Sequence, residues 1–428
     1  MMQKRSFFGW AKPQIFYELL PDNPLEPKKI FPSATIKLFH KKADARNVSG
    51  GIQIGDPVHT GQKLSLFANP HDYVIATATG TITAIAPYAG DFGQNYTAIT
   101  VDIGASEALD DQFAKLIEKP ALETALNFLS HAPGKPPLQL FSDPAKPIHT
   151  IIICGLDGDL GIDTNQYILK FKLEAVKRGI QILKDMTGVD NLIIATAGET
   201  LQGYGHLGAR VKNIDPIYPA ALPHMMMQSI LGQVVPVGQR FEDLGVAFFK
   251  AEAVASLAAA FDTGQIPVTK TLTFVKKDGH KRLIETKIGT PIGEIIAAFG
   301  EQIKEEDRVI LGGPMTGAAI YALDHPVQPD TDAIMVLDRD RAAYVSDYPC
   351  INCGECVRAC PARMPVNMLV RFLEAGHYEE AADSYDLYSC IGCGLCSFVC
   401  VSKIPIFQYI RLAQYELDRV KTAEAMNV

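Results

Sequence analysis

Nowhere in the 428 residues does an apolar run reach the ~20 residues that a membrane-crossing helix needs. The most apolar stretch, GVAFFKAEAVASLAAAF from Gly245, is broken by Lys250 and Glu252, so no membrane span is expected. Basic charge is short as well: 40 Lys and Arg against 48 Asp and Glu leave a formal charge of −8, with no basic tail or stripe. Nucleic acid is therefore excluded as the main partner, because binding to the phosphate backbone draws on Lys and Arg. The opening MMQKRSFFGWAKPQIFYELL has no sustained apolar core and no small-residue cleavage site. That argues against a secretory signal and for a cytoplasmic location. Recognisable acid, base or nucleophile groupings are missing too. His149, His206 and His224 stand apart and read as structural histidines, and HMMMQ from His224 reads as packing.

Cysteine is scarce except in one place. Eight of the nine lie between Cys350 and Cys400, while Cys154 ends an apolar run and reads as a small buried hydrophobe. Cytosolic thiols are kept reduced, so a cluster of them points to metal and not to disulfides.

What is present is an ordinary globular composition, 47% hydrophobic and 21% charged, with length for several domains. Residues 30–104 alternate short apolar runs with turn signals, the pattern of a small all-β module. GDPVHTGQKL followed by ATATGTITAI resembles the barrel-sandwich module of lipoyl and biotinyl carriers. The expected hairpin tip, ANPHDYVIA, lacks their lysine, so a structural or docking role is expected. A helical pattern in ALDDQFAKLIEKPALETALNFLS and a proline-rich, non-helical crossing, HAPGKPPLQLFSDPAKP, come next.

The strand HTIIIC, one long helix through YILKFKLEAVKRGIQILKDM and the strand NLIIATAG then make a βαβ unit with a parallel sheet. The loop after the first strand carries Gly155, Gly158 and Gly161 in the order G-x-x-G-x-x-G, which is not the dinucleotide fingerprint. Asp157 and Asp159 put negative charge where a pyrophosphate would sit. Farther on, a hairpin around Asp278 and Gly279 precedes a helix with Thr290 as N-cap and Pro291 as first residue, a β-grasp-like unit. RVILGGPMTG brings Gly312, Gly313 and Gly317 to a strand end, either as a tight turn against neighbouring backbone or as a ligand contact.

Each cysteine group follows C-x₂-C-x₂-C-x₃-C, the pattern of two-cluster ferredoxins in which the fourth cysteine ligates the other cluster. One 4Fe-4S cluster is thus assigned to Cys350, Cys353, Cys356 and Cys400, the other to Cys390, Cys393, Cys396 and Cys360. Gly354 and Gly394 let the backbone approach the cubanes. Paired zinc sites are the alternative, but these normally use two C-x₂-C hooks. Pro361 follows the first motif as the bacterial pattern has it, and Val401 replaces proline after the second. Helical periodicity in VNMLVRFLEAG and YEEAADSYDLY between the motifs, and in PIFQYIRLAQYELDRV after them, suggests an α-helical two-cluster domain.

Taken in order, these features resemble the RnfC family, the C subunits of the Rnf electron-transport complexes. Further matching segments are YPAALPHMMMQSILGQVVP from Tyr218, IGTPIGEII from Ile288, LGGPMTG from Leu311 and HPVQPDTDAIMVL from His325. The resemblance implies an α/β multidomain chain: a barrel-sandwich module over 1–105, a Rossmann-like domain over 106–265, a β-grasp (SLBB-like) module with linker over 266–335, and a ferredoxin domain over 336–428. It also implies a peripheral protein on the cytoplasmic face of the inner membrane. Such a protein is anchored to membrane partners and passes electrons between NADH and ferredoxin while the complex moves Na⁺ or H⁺.

In that family FMN and NADH bind near a G-x-G-G-A-G-F-P-T loop. Here the region reads HAPGKPPLQLFSDP, with Gly134 its one glycine. The family's N-G-A-E-C-E-P falls on Cys154 to Leu160, without the asparagine, and its N-V-G-T falls on FFKA, Phe248 to Ala251. SDPAKPIHTIII is similar instead to the NqrA component of the Na⁺-translocating NADH:quinone reductase, which does not have the NADH dehydrogenase loop. The expectation is a scaffold kept, a nicotinamide and FMN entry lost, and an iron-sulfur relay intact. Electrons would then be exchanged with membrane subunits of an Rnf-like complex and with ferredoxin or another redox protein. The other readings are an NADH dehydrogenase with a divergent FMN site and a docking scaffold with structural clusters.

Overall fold

The computed structural model describes residues 13–41, 51–66, 72–90, 95–117, 119–198, 201, 207–342 and 344–426. His206 and residues 68–71 of the expected hairpin tip lie outside them.

At the centre is a four-stranded sheet in the order Arg210–Asn213, Asn191–Thr196, Thr150–Cys154, Val246–Lys250, with every pair parallel. Alternation along Thr150–Cys154 sends Ile151 and Ile153 to one face and Ile152 to the other. The first face joins the largest apolar core, with Val176 and Ile180 from Leu173–Thr187 and Val254 and Leu257 from Ala251–Thr263. The second packs with Met226 and Met227 of Pro223–Leu231. Two of the three methionines in the run are core. His224 meets Phe241 edge-on, and His149 Nδ1 lies 3.0 Å from Thr150 Oγ1.

The single long helix expected after Thr150–Cys154 is two, Thr164–Phe171 and Leu173–Thr187, divided at Lys172 with φ −119° and ψ 32°. Both halves pack on helix Ala251–Thr263, and the first also reaches the six-stranded sheet. Thr164 Oγ1 donates to the Asp332 carbonyl at 2.7 Å, whereas the second half packs through Gly179 on Val254. The proline-rich crossing contains one 3₁₀ turn, Leu138–Phe141, where a wholly non-helical path was expected.

A six-stranded mixed sheet follows, ordered Lys28–Lys29, Lys281–Lys287, Thr269–Val275, Ala333–Leu337, Arg308–Leu311, Ala318–Ile320. The hairpin at Asp278 and Gly279 closes as read, with Gly279 at φ +88° and Val275 opposite Lys281. The next helix starts one residue later than expected, at Ile292 with Pro291 in the cap position. Thr290 does not cap it, because its hydroxyl donates to the Lys287 carbonyl at 2.7 Å.

The described strands between Thr35 and Ile103 form a four-stranded antiparallel sheet and a two-stranded ribbon around Ile36, Leu38, Val58, Leu64, Val74, Ile82, Ile99 and Val101. Residues 13–31 run elsewhere as a strap. Tyr17 N–H donates to the Pro216 carbonyl at 2.9 Å, Leu20 N–H donates to Gln166 at 3.1 Å, and Lys28–Lys29 adds a parallel edge beside Ile284 and Glu285.

The C-terminal part is helical: Glu355–Ala359, Val366–Glu374, Tyr378–Ser384, Leu395–Val399 and Ile406–Met426. Its own core joins Leu369, Val370, Leu373, Ile406, Phe407 and Ile410 to Cys356 and Cys396. Among the described residues no helix is long and apolar enough to cross a membrane.

Candidate iron-sulfur site

The two cysteine motifs repeat one backbone path. Asn352 and Gly392, then Gly354 and Gly394, then Arg363 and Lys403 take left-handed φ between 56° and 75° at equivalent positions. Asn and Gly are the residues that adopt that region at least cost. A one-turn helix follows each glycine, Glu355–Ala359 or Leu395–Val399, and these two helices lie against each other. The third cysteine of each motif is thereby in a helix and the fourth at its extended C-cap.

That contact mixes the motifs. Cys350, Cys353 and Cys356 line one pocket together with Cys400 from the other motif, walled by Ile351, Ile404 and Ile406. Cys360 stands close enough to Cys390, Cys393 and Cys396 to act on their thiols. Burial first, with Cys360 adding to it, pushes Cys390 up to about 11, Cys393 up to about 12 and Cys396 well above the usual range. Backbone N–H groups also aim at sulfur: Gly392 donates to Cys390 Sγ and Ile404 to Cys400 Sγ, each at 3.4 Å. Among the described residues no three His, Cys, Asp or Glu side chains converge closely enough for a single metal ion. Thiols spread around a wider space are the donor set of a cubane, which holds one sulfur at each of four irons.

The environments are unequal. Cys353 is exposed, whereas Cys393 and Cys396 are buried. The second motif docks on Tyr17, Leu156, Tyr218 and Met315, and the Tyr218 hydroxyl donates to the Cys393 carbonyl at 2.6 Å.

Both aspartates of the glycine loop are buried. Asp157 accepts from Asn165 N–H at 3.0 Å and Asn165 Nδ2 at 2.8 Å, at the start of helix Thr164–Phe171. A protein carboxylate thus takes the position where a phosphate could meet that helix end. Asp159 accepts from Met315 N–H at 3.2 Å, Thr316 N–H at 2.7 Å and the Thr316 hydroxyl at 2.7 Å. The Gly312–Gly317 turn is therefore a backbone-to-body contact, since a Cβ at Gly313 would lie 2.5 Å from Asp159 Cγ. Sequence reasoning saw the charge of these aspartates but not their partners, more than 150 residues away for Asp159.

Residues 349–404 match the 4Fe-4S dicluster domain family. The C subunit of the Na⁺-translocating ferredoxin:NAD⁺ oxidoreductase complex of Acetobacterium woodii is 24% identical over 74% of this chain and 76% of that protein. Its counterpart in the proton-translocating ferredoxin:NAD⁺ oxidoreductase complex of Clostridium ljungdahlii is 25% identical over 96% and 94%. The chain is RnfC-like. Some relatives are longer than this RnfC-like chain: it spans 50% of the C subunit of the ion-translocating oxidoreductase complex of Pseudomonas aeruginosa, at 27% identity over 86% of its own length. A solved NAD⁺-reducing [NiFe]-hydrogenase, in its H₂-reduced state, aligns at a TM-score of 0.45 with 14% identity over 72% of this chain and 63% of that one. That likeness is too weak to bear on the fold.

In the RnfC-like chain the segment around Phe248 to Ala251 is packed with the protein's own charges. Lys250 pairs with Asp332, and buried Lys270 pairs with Glu252, whose other oxygen accepts from Thr271 N–H at 2.8 Å. Gly134 lies against this helix start: a Cβ there would be 2.7 Å from Ala253 Cα.

Proposed function

We propose that this chain relays electrons through two 4Fe-4S clusters as a peripheral component of a membrane-associated, ion-translocating oxidoreductase complex. Cys350, Cys353, Cys356 and Cys400 hold one cluster, and Cys390, Cys393, Cys396 and Cys360 hold the other. The observation that carries this reading is the exchange of fourth cysteines, with Cys400 among the first three thiols and Cys360 beside the second three. The clusters supply one-electron carriers close enough for hopping. The chain's residues contribute thiolates, N–H donors to sulfur and, around the second motif, an apolar setting.

Electrons enter and leave through partner proteins: membrane subunits of an Rnf-like complex and a ferredoxin or another redox protein, on the cytoplasmic face of the inner membrane. The region where the resemblance would put FMN and NADH is filled by the chain's own groups, which speaks against either binding there. Support comes from Asp157 at the helix start, the Lys250–Asp332 and Lys270–Glu252 pairs, and the proline-rich segment around Gly134. The modules expected over 1–105, 106–265, 266–335 and 336–428 are kept as barrel-sandwich, Rossmann-like, SLBB-like β-grasp and helical dicluster ferredoxin, with two shifts: residues 13–31 run outside the first, and strand Ala333–Leu337 carries the third past residue 335.

The test is anaerobic purification with iron, sulfide and flavin quantified on one sample, followed by NADH and then dithionite while the visible iron-sulfur absorbance is recorded. The expected result is about eight irons, no flavin, and bleaching by dithionite alone. Stoichiometric FMN with bleaching by NADH would overturn the relay reading in favour of a dehydrogenase.

A further inference from the structure

The two motifs share a backbone path but not a setting. A Cβ at Gly354 would meet only Arg358, with Nη1 at 3.2 Å, from its own one-turn helix. A Cβ at Gly394 would fall inside contact distance of the Met315 carbonyl oxygen. Met315 cannot move aside freely, because its N–H and the N–H and hydroxyl of Thr316 all donate to Asp159. Arg411, from the last helix, donates to the Thr316 carbonyl at 3.2 Å and closes the turn from the other side. An unbroken chain of contacts therefore runs from the loop after strand Thr150–Cys154, through Asp159 and Met315, to the residue that follows Cys393.

Asp159 is 5% exposed, and the hydrogen bonds it accepts come from neutral donors: Leu160, Met315 and Thr316. Through Met315 it is joined to Gly394, the neighbour of Cys393, and Tyr218, whose hydroxyl donates to the Cys393 carbonyl at 2.6 Å, packs in the same cluster. Burial raises the Asp159 pKa, and the hydrogen bonds from Thr316, Leu160 and Met315 oppose that rise; when ionised, the carboxylate sets negative charge in a poorly screened interior and opposes the electron that reduction adds to a nearby cluster.

We propose that Asp159 is a positioning residue for the second cluster. It holds the Gly313–Thr316 turn against Gly394, and its charge keeps the reduction potential of the Cys390, Cys393, Cys396 and Cys360 cluster lower than it would otherwise be. This inference rests on the relay reading. The first cluster, with exposed Cys353, has no such anchor on the body among the contacts at Gly354. The structure thus makes the two halves of a sequence repeat electrically distinct.

The experiment is an EPR-monitored redox titration of the full chain, anaerobically purified, as wild type, Asp159→Asn, Gly354→Ala and Gly394→Ala. Cys396→Ala identifies the second cluster by its loss. Asp159→Asn is expected to raise the midpoint potential of that cluster and leave the other unmoved. Gly354→Ala and Gly394→Ala carry the same left-handed strain, with φ of 75° and 70°, so the contact with Met315 is what separates them. Gly394→Ala should lose or shift the second cluster alone, and Gly354→Ala should keep it. If Asp159→Asn does not fold, the glycine pair decides. Potentials that move together or not at all, or glycine variants that disturb the second cluster alike, would overturn the role of Asp159 while leaving the relay intact. Wild-type protein without iron-sulfur would overturn the relay and this inference with it.

Discussion

Asp157 brings its carboxylate into the interior, 2% exposed, and turns it on the first turn of Thr164–Phe171. Burial raises its pKa to about 7, with Asp332 and Asp163 adding to the rise and the Asn165 hydrogen bonds opposing it. Between the ordinary value of 3.8 and about 7 the folded chain holds a proton that the unfolded chain has released. Stability from this group is therefore fullest below the lower value and is lost as pH rises through the upper one, at up to about 1.4 kcal/mol per pH unit. Asp157→Asn should flatten that decline. Urea midpoints at about pH 5.5 and about pH 7.5 would check it, and equal slopes in the two proteins would refute it. In the sequence Asp157 was visible as an unwelcome charge beside a would-be phosphate. That Asn165 and Gln166 turn their N–H groups toward it depends on how the loop folds back, which no local spacing encodes.

At the scale of elements, helix Leu173–Thr187 contains Gly179, and in an exposed helix a change to alanine would stabilise by about 1 kcal/mol. Here a Cβ would lie 2.7 Å from Val254 Cγ1 and closer still to the Val254 carbonyl oxygen of helix Ala251–Thr263. Overpacking of this kind costs about 1–3 kcal/mol and outweighs the propensity gain. Gly179→Ala is thus expected to destabilise, read as a lower urea midpoint with an unchanged slope; a higher midpoint would show that the helices part easily. The parallel pairing of Thr150–Cys154 with Asn191–Thr196 was legible because both strands are short apolar runs with a helical pattern between them. The break at Lys172 was not, since LKFKLEAV keeps its periodicity through the break.

At the scale of the molecule, the apolar core of the parallel sheet and that of the C-terminal helices share no residues, and the latter includes two of the cysteines. A small helical core that incorporates its metal ligands draws folding energy from the metal. Removing iron with a chelator is expected to raise hydrogen exchange across Val366–Glu374 and the first turns of Ile406–Met426. Protection in Thr150–Cys154 and Asn191–Thr196 should persist. Loss of protection everywhere at once would mean that the docking through Tyr218 and Met315 makes one cooperative unit of both cores. The strap over residues 13–31 joins these parts: Tyr17 packs beside Tyr218 and Cys393, and Lys28–Lys29 extends the six-stranded sheet. Nothing in its composition foretold that path.

The cluster chemistry was legible from the amino acids alone, because ligand identity and spacing within one motif are local, and C-x₂-C-x₂-C-x₃-C in duplicate is the two-cluster ferredoxin pattern. The parallel sheet was legible for the same reason, through periodicity within each segment. The unlikeness of the two motif copies emerged only on folding, with one open to solvent at Cys353 and one held by Asp159, Met315 and Tyr218. The physical cause is distance along the chain: Asp159 and Thr316 are 157 residues apart, and a hydrogen bond across such a separation exists only once the sheets have packed.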